Sequence, residues 1–370
     1  MSQRAGRSPT LGEALSGRDN ALNFMRLILA VAVIFGHIFP LGGFEPLRVG
    51  PWVYGGLHGQ AVNGFFIISG YLILGSSLRQ STLSYFWRRF LRIYPGYLVA
   101  VICVAFLFAP LSTIGTGGTW DAGSAVSYVT GALDLKPSQE GVVGTLASVP
   151  WPETWNGSLW TLFYEFSAYI ATGILVTSRV VRENLKATVL LLCGGLSLAY
   201  LLIPESVLGL LPGALMVVIG NGLRLGTYFT WGMLCYVYRD VIRPRPALVA
   251  LAWLIFLLVQ LTAVIPSGVR EAVTFVALAY AVLGCGAVSS IRLGRTNDIS
   301  YGIYIYAFPV QQFLILWGIA RFGITISALT CLICTIPFAL ASWRWVEKPA
   351  LDLKRLVPAR PRVPEAALTP

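Results

Sequence analysis

Two ionisable side chains, Arg26 and His37, lie within one apolar stretch near the N-terminus, NFMRLILAVAVIFGHIF. Their eleven-residue spacing corresponds to about three turns of an α-helix, so both lie on one face, about 16 Å apart along the axis. Ionisable residues in membrane helices are costly and usually face the protein interior or a water-filled cavity. We therefore interpret the pair as contacting different parts of one ligand. The alternatives are an Arg26 that extends towards the membrane surface and a His37 that only packs.

A second group of side chains, Arg88, Arg89 and Arg92, lies in YFWRRFLRIYP at residues 85–95. Arginine binds phosphate through two parallel hydrogen bonds, so this group favours a phosphorylated cytosolic partner. Contact with anionic lipid headgroups is the alternative, since basic residues also cluster where helices leave the membrane.

Glu165 is the third candidate, because it lies within the apolar segment NGSLWTLFYEFSAY at residues 156–169. A carboxylate in a span is as costly as an arginine. We predict that Glu165 pairs with His37 and makes it more basic; a structural ion pair with another helix is the alternative. The other histidine, His58, is interpreted as a surface residue.

The elements that must position these residues are membrane helices. The chain is 56% hydrophobic and 12% charged with a mean hydropathy of +0.72, which excludes an ordinary soluble domain. A span needs about 20 apolar residues. We predict an all-α, polytopic bundle of about ten spans, at 21–40, 62–78, 93–113, 158–178, 187–203, 226–238, 247–265, 272–290, 299–319 and 324–343. The predicted domains are a cytoplasmic tail (1–20), a membrane domain (21–346) and a second cytoplasmic tail (347–370).

The net charge of +11 follows the predicted topology rather than indicating nucleic acid. With both termini in the cytoplasm, 21 of the 27 basic residues lie on the inner side, as the positive-inside rule requires. They include Arg4, Arg7, Arg18, Arg360 and Arg362 in the tails. Five lie on the outer side: Arg48, Lys136, Arg224, Arg270 and Arg321.

The six cysteines all lie in apolar runs, so we predict neither disulfides nor a metal site. The one long connection, residues 111–157, is rich in Gly, Ser and Thr and contains Trp120, Trp151 and Trp155. Such a loop is suited to holding a sugar-like acceptor. Anchoring of the tryptophans at the membrane surface is the alternative.

Several motifs, in this order and spacing, resemble the acyltransferase-3 family. They are the Arg26-to-His37 spacing, FFIISGYLI at 65–73, RRFLRIYP at 88–95, SLWTLFYEF at 158–166, SYGIYIYAFP at 300–309 and WVEKP at 345–349. The resemblance implies an enzyme of the bacterial inner membrane that has no permanently bound cofactor. Such an enzyme moves an acyl group, often acetyl, from cytosolic acyl-coenzyme A to a hydroxyl of a carbohydrate, lipid-linked glycan or similar acceptor.

By matching position, the resemblance places the family's essential arginine and histidine on Arg26 and His37. Its basic cluster falls on Arg88, Arg89 and Arg92, and its acidic residue on Glu165. One departure is Ala307, which precedes Phe308-Pro309 where many members have a histidine before the proline.

The predicted mechanism is general-base catalysis by His37, with Arg26 and the arginine group binding the coenzyme phosphates. A covalent acyl-histidine is a variant that the sequence leaves open. Ser69-Gly70 and Ser158 are interpreted as sites of close helix packing rather than as nucleophiles. The rival from another class is a proton-coupled transporter or flippase, in which buried Arg, His and Glu residues line the path.

Overall fold

The structure is a computed structural model that describes residues 8–17, 19–45, 48–49, 52–53, 56–203, 205–262 and 264–357. Five basic residues that we assigned to the cytoplasmic side lie outside the described residues: Arg4, Arg7, Arg18, Arg360 and Arg362.

The regular secondary structure of the described chain is helical apart from one short antiparallel pairing of β1 (Arg48–Val49) with β2 (Trp52–Val53). The helices are α1 (Leu11–Ala14), α2 (Leu22–Gly42), α3 (Leu57–Arg79), α4 (Thr82–Cys103), α5 (Ala109–Ser112), α6 (Ala122–Thr130), α7 (Trp160–Leu175), α8 (Arg179–Glu183), α9 (Leu185–Leu202), α10 (Glu205–Leu208), α11 (Gly213–Val237), α12 (Pro246–Leu261), α13 (Ser267–Val288), α14 (Ser300–Leu316), α15 (Ile324–Ser342) and α16 (Lys348–Asp352). Short π-helical turns at Val104–Phe108 and Trp343–Glu347 extend α4 and α15 without a break.

Within the described residues, six helical segments are long and apolar enough to cross a membrane. They are Leu22–Gly42, Leu57–Arg79, Thr82–Ser112, Leu185–Leu202, Ser267–Val288 and Ile324–Leu356. The other four predicted spans fall on α7, α11, α12 and α14, which are shorter or more polar. The all-helical membrane fold is therefore confirmed, whereas the count of ten spans and the cytoplasmic termini stay predictions.

Two helices, α4 and α11, begin well before the membrane spans that we predicted from their apolar runs. The helix that contains Arg88, Arg89 and Arg92 begins at Thr82, where the hydroxyl of Ser81 caps it by accepting from the backbone N–H of Ser84. Arg224, which we assigned to an outer loop, lies in the middle of α11. Arginine is a good helix former, but it lowers the mean hydropathy of the residues around it. The apolar pattern alone therefore placed the starts of both helices too late.

The centre of the bundle is formed by α14 and the helices around it. Every residue of α14 from Ser300 to Gln312 is buried, and α14 packs against α2 and α15. Alongside, α3 and α11 run parallel in close contact. A methyl group on Gly70 would collide with the carbonyl oxygen of Phe229, and one on Gly232 with that of Ile67. Close packing at Gly70 is thereby confirmed, since small residues let helix backbones approach.

The predicted C-terminal tail, 347–370, begins inside a continuous helix. The segment from Ile324 to Leu356 is helical throughout, and the indole N–H of Trp87 on α4 donates to the carbonyl of Leu353 at 3.0 Å. Residues 347–356 thus pack against α4.

Candidate active site

Arg26 and Arg92 come together on a carboxylate that the sequence analysis did not select. Asp298 lies in the connection before α14, and its Oδ2 accepts from Arg26 Nη1 at 3.0 Å and from Arg92 Nη2 at 2.6 Å. The hydroxyl of Ser300 donates to Oδ1 at 2.6 Å. All three charged side chains are less than one-fifth exposed. Asp298 therefore joins α2, α4 and the start of α14 in what we call the arginine clasp: Arg26, Arg92 and Asp298.

The charge of Asp298 is stabilised by its neighbours. Burial by itself would raise the pKa of this carboxyl, but the nearby charges of Arg92 and Arg26 and the hydrogen bonds from Ser300 and Arg92 outweigh it. The net effect holds the pKa of Asp298 well below its ordinary value, so the carboxylate stays ionised at neutral pH.

A second acid, Glu347 of the WVEKP motif, lies near the arginine clasp. Its side chain is 2% exposed, and Oε1 accepts from the hydroxyl of Ser342 at 2.9 Å. Glu347 interacts electrostatically with Arg92. Two carboxylates that the sequence analysis left without a role, Asp298 and Glu347, therefore lie beside Arg92.

Arg88 and Arg89 point to different surroundings from Arg92. Arg88 Nε donates to the hydroxyl of Ser84 at 3.1 Å within the same helix. The guanidinium of Arg89 lies 5.9 Å from the centre of the Tyr169 ring, and its buried Nε has no hydrogen-bond partner in the part of the chain that the structure describes. Of this predicted group, only Arg92 shares a carboxylate with Arg26.

Glu165 lies with Arg26 rather than with His37. Its Oε1 accepts from the hydroxyls of Ser69, at 3.0 Å, and Tyr169. Glu165 and Arg26 both line a cleft with a free volume of about 30 Å³, together with Val62, Tyr301 and Tyr304. The predicted pairing of Glu165 with His37 is therefore not observed. Which side chains meet across two helices is decided by how those helices pack, and this cannot be predicted from the sequence of either one.

His37 is held between two rings. The ring of His58, on α3, stacks on it at a centroid distance of 4.7 Å, and Phe308 of α14 contacts it edge-on at 5.3 Å. Nδ1 of His37 is buried and has no hydrogen-bond partner within the described chain. A methyl group on Gly36 would lie 2.6 Å from the backbone nitrogen of His58, so this glycine allows α2 and α3 to approach. The interpretation of His58 as a surface residue was wrong.

The end of the long connection, residues 111–157, is held by hydrogen bonds near His37 and His58. Gln312 Nε2 donates to the carbonyls of Trp151, at 2.8 Å, and Thr154, at 2.7 Å. The ring of Trp151 contacts Phe308, and the side chain is 43% exposed. Trp155, by contrast, is fully buried and donates to Thr145 Oγ1 at 2.8 Å. Trp155 thus holds the loop together, whereas Trp151 presents an open ring near His37.

The cleft extends from Arg26 towards the histidine pair, which lies outside its lining. Val62 and Tyr304 line it, and each lies four residues, about one helical turn, from a side chain that contacts His37: His58 on α3 and Phe308 on α14. Arg26 lies at the other end.

Within the described residues, no group of three or more His, Cys, Asp or Glu side chains could hold a metal ion.

A family model described as an acyltransferase domain matches residues 19–344, nearly the whole chain. The chain belongs to the acyltransferase-3 family. It is 28% identical over 342 residues to an O-acetyl transferase of Shigella phage Sf6, and the alignment covers 90% of this chain and 96% of the relative. It is 27% identical over 389 residues to nodulation protein 10 of Rhizobium leguminosarum bv. viciae, covering 94% and 97%.

No solved structure matches this acyltransferase-3 protein significantly. The family and the O-acetyl transferase relative support acyl transfer by a membrane protein. The roles of individual residues stay predictions.

Proposed function

We propose that this acyltransferase moves an acetyl group from cytosolic acetyl-coenzyme A to a hydroxyl of a carbohydrate acceptor at the bacterial inner membrane. Acyl transfer follows from the family, and the choice of acetyl is supported by the O-acetyl transferase relative. A lipid-linked glycan is a suitable acceptor, because its sugar would lie at the membrane surface while its lipid stays in the bilayer.

The observation that carries the proposal is the arrangement of charges along the cleft. The arginine clasp, of which Arg26 lines the cleft, lies at one end, and a histidine held between two rings lies one turn beyond the other. This layout suits a donor whose phosphates and thioester are far apart, as they are in an acyl-coenzyme A. The cleft of about 30 Å³ has room for a water molecule or two, so entry of the thioester requires its lining side chains to move apart.

In the proposal, the direct phosphate contact is made by Arg89. Arg26 and Arg92 are already hydrogen-bonded to Asp298, and Arg88 to Ser84. The buried Nε of Arg89 has no hydrogen-bond partner among the residues that the structure describes, and a guanidinium has five N–H donors that match phosphate oxygens. Arg26 and Arg92 then supply positive potential and position the helices.

His37 acts as the general base in the proposed reaction. It takes the proton of the acceptor hydroxyl while the hydroxyl oxygen attacks the thioester carbon. The carbon–oxygen bond forms, the carbon–sulfur bond breaks, and the thiolate leaves with the electron pair. The protonated His37 returns its proton to the thiolate, which leaves as free coenzyme A. An acyl-histidine intermediate is the variant in which the ring itself is acylated first.

The proposal is tested with membrane vesicles of the source organism that contain the protein and its natural acceptor. We expect label from [14C]acetyl-coenzyme A to appear in alkali-labile esters of the membrane or glycan fraction only when the protein is present. Vesicles that lack such transfer but show protein-dependent movement of a glycan or proton would favour the transporter instead.

Arg89→Gln should weaken donor binding. Loss of a charged hydrogen bond costs about 1.5–3 kcal/mol, so we expect the KM for acetyl-coenzyme A to rise about tenfold or more, with a smaller change in kcat. Arg88→Gln, one residue away, is the matched control and should leave the KM within about twofold, because Arg88 contacts Ser84 of its own helix. Equal KM values for both variants and the unsubstituted protein would remove Arg89 from the donor site.

A further inference from the structure

A second group of polar side chains lies near the histidine pair and outside the cleft. It consists of Arg224 on α11, Trp160 on α7 and Glu271 on α13. A methyl group built on Gly59, the residue after His58, would lie 3.6 Å from Nη1 of Arg224. Since α3 and α11 run side by side, Arg224 reaches the His58 end of α3 from the middle of its own helix.

Arg224 has few partners for a cation in this position. Its guanidinium lies 5.9 Å from the centre of the Trp160 ring, and its buried Nε has no hydrogen-bond partner among the described residues. No carboxylate of the described chain lies within 4 Å of it. Glu271 interacts with it electrostatically and accepts from the hydroxyl of Tyr228 at 3.4 Å.

A purely structural role explains only part of this arrangement. A cation over an aromatic ring is favourable, but a guanidinium has five donors, and buried donors without partners are costly. A ligand that brings several acceptor oxygens would satisfy them. Trp160 is 36% exposed, so part of its ring is open to such a ligand.

We propose that Arg224, Trp160 and Glu271 bind the sugar of the acceptor next to His37; this inference rests on the proposed function. A sugar offers hydroxyls that both donate and accept, together with apolar C–H faces. Arg224 donates to the hydroxyl oxygens, Glu271 accepts from the hydroxyl hydrogens, and the indole of Trp160 packs against the ring. A sugar held there lies beside His58, the residue stacked on His37.

The test uses vesicles of the source organism, whose natural acceptor need not be identified, and compares Arg224→Gln and Trp160→Leu with the unsubstituted protein. Arg321→Gln is the matched control, because Arg321 also lies over an aromatic ring, 4.7 Å from the centre of Phe322, but is exposed. We expect [14C]acetyl transfer to fall at least tenfold in the first two variants. The KM for acetyl-coenzyme A should stay within twofold, and Arg321→Gln should transfer normally.

Adding a detergent extract of membranes from a strain that lacks the enzyme, as a source of unmodified acceptor, should restore most of the transfer by Arg224→Gln, because the defect lies in acceptor KM. Normal transfer by the folded Arg224→Gln and Trp160→Leu proteins would overturn the inference, as would an equal rise in donor KM. If Arg224→Gln does not fold, Glu271→Gln and Trp160→Leu decide in the same way. A complete lack of transfer by the unsubstituted protein would instead overturn the proposed function, and this inference with it.

Discussion

His37→Ala should abolish acetyl transfer, lowering kcat by about a thousandfold, because a general base contributes roughly two to four orders of magnitude. The KM for acetyl-coenzyme A should change little, since Arg26 of the arginine clasp lies about 16 Å from His37 along the axis of α2. The measurement is the initial rate of ester formation in membrane vesicles at several donor concentrations.

The sharpest control for this variant is His58→Phe. Phenylalanine keeps a flat ring against His37, which is stacked on His58 at 4.7 Å, but removes the second imidazole. We expect a much smaller loss of kcat than in His37→Ala, because the proton is taken by His37 and the ring of His58 only orients it. If His58→Phe were as inactive as His37→Ala, the base would have to be assigned to the pair or to His58.

Asp298→Asn should be strongly destabilising. It leaves Arg26 and Arg92, both now hydrogen-bonded to one carboxylate, as two buried cations without that counter-charge. Breaking a buried ion pair costs about 3 kcal/mol or more, and we expect a clear fall in the unfolding temperature of the detergent-solubilised protein. The matched control is Asp240→Asn, since Asp240 lies 3.9 Å from Arg239 but is 74% exposed. That change should cost less than about 1 kcal/mol.

The effect of Asp298→Asn should depend on pH in a defined direction. The pKa of this carboxyl is lower in the folded protein than its unfolded value of about 3.9. Its contribution to stability is therefore fully present above that unfolded value and is lost as the pH falls through the folded pKa. The difference in unfolding temperature between the two proteins should be constant from about pH 6 to pH 8 and shrink below about pH 4. A difference that grows on acidification would contradict the ionised state of Asp298.

The amino-acid sequence by itself determined that the chain is a helical membrane protein, because long apolar runs and helix periodicity are local properties. It also placed Arg26 and His37 on one face of one helix, and its motifs indicated the family that the comparison then confirmed. The clasp acid Asp298 was missed because it lies 272 residues from Arg26 in the chain. One signal was available, namely an acidic residue directly before an apolar span.

Only the tertiary structure decided which of these residues meet. Glu165 lines the cleft with Arg26, and His58 stacks on His37, because α2, α3, α7 and α14 pack around one centre. The approach of α2 to α3 depends on Gly36, and that of α3 to α11 on Gly70 and Gly232. Contacts of this kind depend on side-chain volumes on two helices at once, so they cannot be predicted from the residue pattern of either helix alone. The same packing brings Arg224 from the middle of α11 to the side of the histidine pair.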